Sequence, residues 1–303
     1  MLVLDAGNAL FKSSTSGGDP KEKERAGLLL ELMDATGTTA MAVGARDLTL
    51  GTDFLTRSTK GRKLKLLSAN LVDAAGKPLF SASTVVTVGG VKFGLVGLSP
   101  EGPVTTQKGV VGRPPVPAAI AESRRLRTKE KVDVVVVLAA VPYEAAVKLS
   151  QESGEAVDFI LQSHEGRGQG VAQRNDFAVL VPTGERGRQI GQLTLSVGGK
   201  GPFVDLSETE RAQQGLKILD SNLQQARQSH AAAKDEKNRK MWEETIASFE
   251  ARRKALALQV EAGKQGAERT HHLSYIQLSS SVQDDAEVKK RVERIEPPGS
   301  ASH

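Results

Sequence analysis

Residues 132–138 (VDVVVVL) constrain this chain more than any other stretch. The run is almost entirely apolar and β-branched, the pattern of a strand covered on both faces. Such strands belong to sheets with helices packed above and below. Residues 118–131 before it and 143–153 after it have helical spacing, and residues 157–161 (VDFIL) read as a further buried strand. Strand and helix alternating in this way predict a layered α/β domain.

Residues 38–55 (TTAMAVGARDLTLGTDFL) are the stretch around which a site would form. Residues 40–43 read as a short buried strand. Gly44 breaks it, polar residues follow, and Gly51 is expected to open a second turn before Phe54 and Leu55 return to the core. A strand that ends in glycine and delivers polar side chains at its carboxyl edge is where α/β proteins commonly place chemistry.

The remaining text supplies the frame. Residues 1–4 (MLVL) already read as a buried strand, closed by the turn Asp5-Ala6-Gly7-Asn8. That abrupt start leads to the expectation that further sequence lies upstream. Residues 24–36 are helical in spacing and 64–71 read as one strand. Residues 83–88 and 91–98 form a hairpin across Gly89-Gly90, since two β-branched runs flank a Gly-Gly pair. Residues 102–117 are expected to be a loop, and 177–181 and 189–197 to be strands. From 207 to 262 the composition turns to Ala, Gln, Glu, Lys and Arg. Leu216, Leu219, Leu223 and Ala226 make one apolar stripe, and Trp242, Ile246, Phe249, Leu256 and Val260 make another. These predict two helices folded into a hairpin, with one long bent helix as the other choice, and Ser207 with Glu210 as a capping box at its start. Residues 273–278 read as a strand returning to the sheet, 284–295 as a short charged helix and 297–303 as a tail. The expected organisation is a sandwich over 1–202, a helical hairpin over 203–265, and residues 266–303 belonging again to the sandwich.

Several function classes drop out on composition. There is no cysteine, so thiolate metal sites and cysteine nucleophiles are excluded. No stretch approaches the ~18 apolar residues of a membrane span, and the chain as written carries no export signal. The net charge of +5 is mild, and the basic clusters at 60–65 and 123–131 read as solvated faces, so no nucleic-acid partner is expected. Residues 184–191 (GERGRQIG) lack phosphate-loop spacing. His271 and His272 are adjacent and cannot face one metal from a helix. No nucleophile-elbow text is present.

Taken in order, LVLDAGN, the 38–55 stretch, SANLVDAAGKPLF, VGGVKFGLVGLSP, VDVVVVLAAVP, VDFILQSHEG and VPTGERGRQIGQLTLSV resemble the catalytic-type domain of the calcineurin-like metallophosphoesterases, in the 5′-nucleotidase branch. The resemblance runs from about Leu2 to Val197 and implies a four-layer α/β/β/α sandwich, here with an added helical hairpin near the C-terminus. It also implies two metal ions about 3.5–4 Å apart that clamp a phosphate and generate a hydroxide. The ligands the family uses are mostly absent. The leading Asp-x-His motif would precede residue 1. The bridging Asp falls on Asn8, and the Gly-Asn-His-Glu motif falls on Gly44, Ala45, Arg46 and Asp47. The next strand-end His falls on Ala140, and the Gly-His-x-His pair falls on His164 and Gly166.

One imidazole and one amide do not hold two dications, and a guanidinium repels them. The expectation is therefore a pseudoenzyme with no catalytic residue, no metal ligand and no cofactor, kept as a binding or assembly module. Asn8, Arg46, Asp47 and His164 mark its vestigial or anion-binding site. The alternatives are a phosphohydrolase of residual or altered activity, using upstream ligands with Asp47 and His164, and a phosphate or nucleotide sensor built on Arg46. Otherwise Arg46 pairs with Asp47 or Asp5 and fills the vacated space, and His164 is a strand-end residue in a hydrogen bond. A protein partner or self-association through the hairpin is expected, carried by Trp242 and Phe249. The resemblance alone implies a periplasmic or cell-surface location.

Overall fold

A computed structural model describes residues 1–14, 19–104, 109–163, 172–183, 187–264 and 268–297 of the 303. The chain divides into two units, Met1–Gln192 with Tyr275–His303, and Leu193–Ser274. The second unit takes in the strands that flank the hairpin as well as the hairpin itself.

In the first unit the elements follow in the order β1 (Val3–Asp5), α1 (Pro20–Ala35), β2 (Thr38–Ala42), α2 (Gly51–Thr59), β3 (Lys65–Leu67), β4 (Leu71–Val72), β5 (Ser83–Val88) and β6 (Val91–Leu98). Then come β7 (Gly102–Pro103), β8 (Val111–Gly112), α3 (Pro115–Arg125), β9 (Val134–Ala139), α4 (Tyr143–Glu152), β10 (Phe159–Gln162), β11 (Gln173–Asn175) and β12 (Ala178–Pro182). Strands β1, β2 and β3 form a parallel sheet. A six-stranded sheet runs in the order β11-β12-β10-β9-β6-β5.

The layering follows from where the large side chains point. Met41 and Val43 turn outward into a cluster with Ala26 and Leu30 of α1 and Leu55 of α2. Val135, Val137 and Ala139 of β9 turn toward Ala119 of α3 and Ala146 and Leu149 of α4. The two sheets approach closely at Gly97 of β6, where a Cβ would lie 2.2 Å from the Leu67 carbonyl oxygen, so glycine is required there. The result is helices, sheet, sheet, helices. All of β9 is buried, as a strand covered on both faces must be. Helix α1 starts where Asp19 accepts the Lys21 N–H and Pro20 fills the first turn.

In the second unit β13 (Gln189–Val197), β14 (Val204–Asp205), α5 (Leu206–Ala232), α6 (Glu236–Lys264) and β15 (Arg269–Gln277) complete the chain before α7 (Ala286–Ile295) of the first unit. The unit boundaries fall inside β13 and β15. Helices α5 and α6 are two arms of a hairpin, with Leu219, Leu223, Ala226 and Val260 buried. Among the described residues, no helix is long and apolar enough to cross a membrane.

Several expectations are corrected. Gly51 begins a nine-residue helix, not a turn. Residues 64–71 are two strands, because Ser68 and Asn70 leave the sheet to bond Ser99. The 102–117 loop contains β7, β8 and the start of α3. The 118–131 helix ends at Arg125 and passes into a π-helical turn, Leu126–Glu130, closed by left-handed Lys131. The cap of α5 is Asp205, which accepts the Ser207 N–H at 2.8 Å, where the sequence pointed to Ser207 itself. Strand β15 joins β13 and β14 in a separate sheet and does not return to the six-stranded one.

Candidate functional site

The carboxyl ends of β1, β2, β9 and β10 bring most of the expected residues together. Gly7 and Asn8 follow β1, both with positive φ (90° and 61°). A side chain on Gly7 would meet the Ala42 carbonyl oxygen at 2.7 Å and the Ala140 Cβ at 2.8 Å, so glycine is the residue that fits. Asn8 tolerates the left-handed conformation better than most residues with a side chain. Beyond β2, Gly44 leads into a 3-10 turn, Arg46–Leu48.

Asp47 is fully buried and accepts four main-chain N–H groups. Oδ2 takes Asn8 N at 2.7 Å and Gly44 N at 2.8 Å, and Oδ1 takes Ala9 N at 2.9 Å and Leu10 N at 3.1 Å. Burial pushes this carboxyl up to about 7. The N–H groups of Gly44, Asn8 and Leu10 oppose the rise, and nearby Asp5 adds to it. Burial also raises Asp5, against the Gly7 N–H that it accepts at 2.7 Å. The Asn8 side chain is occupied at both ends: Oδ1 accepts Arg46 N at 3.1 Å, and Nδ2 donates to Ser163 Oγ at 3.2 Å. Ala45 is half-buried against the apolar cluster beneath β2. Ala140 is buried beyond β9, with its N–H on Leu98. The expected site residue His164 lies outside the described residues.

Sequence reasoning missed Ser163. It follows β10, is 2% exposed, and donates through Oγ to the Gly7 carbonyl at 3.0 Å. A small polar residue at the end of a buried apolar run was the available signal. Ser99 was missed likewise; its hydroxyl donates to the Val43 carbonyl and meets Ser68 Oγ at 2.8 Å.

These residues do not fit a pair of dications. A carboxylate has about four lone-pair positions, and at Asp47 four N–H donors match them. The Asn8 oxygen is already accepting. No group of three His, Cys, Asp or Glu side chains able to hold a metal ion occurs among the described residues.

No family model matches the sequence, and no curated protein is similar to it. Solved structures are. Sulfate thiohydrolase SoxB of Thermus thermophilus is 21% identical over 64% of this chain and 35% of its own, with a TM-score of 0.55. A 5′-nucleotidase precursor of Thermus thermophilus is 25% identical over 63% of this chain and 41% of its own, with a TM-score of 0.52. The calcineurin-like phosphoesterase YfkN of Bacillus subtilis is 17% identical over 63% of this chain and 70% of its own, with a TM-score of 0.51. The chain thus spans less than half the length of the first two. Its fold is that of the calcineurin-like metallophosphoesterases. A 5′-nucleotidase precursor is among the solved structures that share this fold.

Proposed function

We propose that the protein is a catalytically silent metallophosphoesterase-type domain that works as a binding or assembly module. The observation that carries this reading is the state of Asp47 and Asn8, whose oxygens are already occupied by main-chain N–H groups. A metal-assisted hydrolysis needs open ligand positions to hold its ions, and a carboxylate with all lone pairs engaged offers none. That same occupancy counts against Asp47 as a ligand in a residual phosphohydrolase. The hairpin supports a partner surface, because Ile218, Met241 and Leu258 on its two helices are exposed at 64%, 48% and 65%. An exported location accords with one fold relative being described as a precursor.

The test is turnover. Purified protein is incubated with Mn²⁺, Zn²⁺ or Fe²⁺ and either a nucleoside monophosphate or nitrophenyl phosphate, and its metal content is measured. Background hydrolysis and no stoichiometric metal are expected. Metal-dependent turnover above background overturns the reading.

A further inference from the structure

The bonds at the sheet ends form a closed set. Asn8 follows β1 and Arg46 follows β2, both in the three-stranded sheet; Ser163 follows β10 in the six-stranded sheet. The Arg46 N–H can only donate, which fixes the Asn8 carbonyl oxygen toward it and leaves Nδ2 facing Ser163. The Ser163 hydroxyl donates to the Gly7 carbonyl, which leaves its lone pairs for Nδ2. Each partner is therefore used in the one sense open to it, and the carboxamide ties the carboxyl edges of the two sheets together.

We propose that this constellation is a metal-independent clasp, in which Asn8 and Ser163 hold the two sheet edges by hydrogen bonds and leave no place for a divalent cation. The proposal rests on the non-catalytic reading above and adds what became of the site. The position calls for an amide because it must accept from one neighbour and donate to another. A carboxylate only accepts, and here it would be placed beside the two buried carboxyls of Asp47 and Asp5. The neighbours are cut to the amide's shape. A Cβ on Gly44 would lie 2.2 Å from Asn8 Oδ1, and Gly7 packs directly on Ala140.

The experiment compares melting temperatures with and without metal. Wild-type protein is stripped with EDTA and melted alone, then with MnCl₂ and with ZnCl₂, beside Asn8→Asp and Ser163→Ala. The expectation is no metal-induced shift in the wild type. Ser163→Ala should melt lower than wild type in every condition. Asn8→Asp should melt lower at neutral pH, with no recovery on adding either metal. A saturable rise in the wild type, or metal rescue of Asn8→Asp, overturns the clasp, as does Ser163→Ala melting like wild type. If Asn8→Asp does not fold, the wild-type titration and Ser163→Ala still decide. Turnover measured on the same samples separates the two readings. Hydrolysis with metal-insensitive melting sinks only the silent-domain proposal, whereas metal-dependent melting without hydrolysis sinks only the clasp.

Discussion

The Asn8 carboxamide donates to the Ser163 hydroxyl at 3.2 Å, although 155 residues separate the two in sequence. Gly44 makes room for this bond, since a Cβ there would lie 2.2 Å from Asn8 Oδ1 and 2.5 Å from its Cγ. Gly44→Ala must therefore push the amide off its partners. Overpacking of a buried site costs about 1–3 kcal/mol, and lost hydrogen bonds add to that. Denaturant unfolding of Gly44→Ala is expected to show a loss of at least this size. In Gly44→Ala with Asn8→Ala the clash is gone, and the loss should be smaller than the two single effects added together.

Asp158 is fully buried, accepts the Val135 N–H at 2.7 Å, and pairs with Arg127. Arg127→Met removes the guanidinium that pairs with that carboxylate. Removing one partner of a buried pair costs about 3–5 kcal/mol, so a large drop in the unfolding midpoint is expected. Arg57→Met breaks the Arg57–Asp53 pair, whose side chains are 80% and 82% exposed. It should leave the midpoint nearly unchanged.

What the sequence made legible was what depends on neighbouring residues. The 132–138 run carries its double-sided burial in its own letters, and β5 pairs with β6 in the register that Gly89-Gly90 predicts. Helix α2 was not legible, because its glycine start and absence of a side-chain cap imitate a turn. Asp47 was visible as a residue but not as a staple, since Asn8, Ala9 and Leu10 lie 37 to 39 positions away. Ser163 looked like any other serine until β10 was placed beside β9.

The hairpin offers a contrast between burial and charge. Asp220 pairs with Arg253 and Arg227 with Glu250, yet these side chains are 50–63% exposed. Exposed pairs contribute about 0–1 kcal/mol each. Leu223 lies between Asp220 and Arg227 on the same side of α5 but is only 5% exposed, and truncating a buried leucine costs about 2–5 kcal/mol. Leu223→Ala should therefore lower hairpin stability more than Asp220→Ala and Arg227→Ala combined, as read by helical circular dichroism on heating. Only the effect of the charge variants should fade in high salt.

The raised carboxyl of Asp47 gives stability a slope with pH. Burial lifts its folded value to about 7 from an ordinary 3.8. Between those limits the folded protein therefore holds a proton that the unfolded chain has released. Stability falls with rising pH wherever the folded state binds more protons. The contribution is complete below pH 3.8 and is lost as pH climbs to about 7, with Asp5 raised by burial acting in the same direction. Glu31, held down by its hydrogen bond to Arg291, has the opposite sign and acts only below its ordinary 4.5. Melting temperature measured from pH 5 to 8 is thus expected to decline toward the alkaline end. Asp47→Asn, which has no proton to exchange over this range, should show a flatter profile, and a slope equal to the wild type's would remove Asp47 as its source.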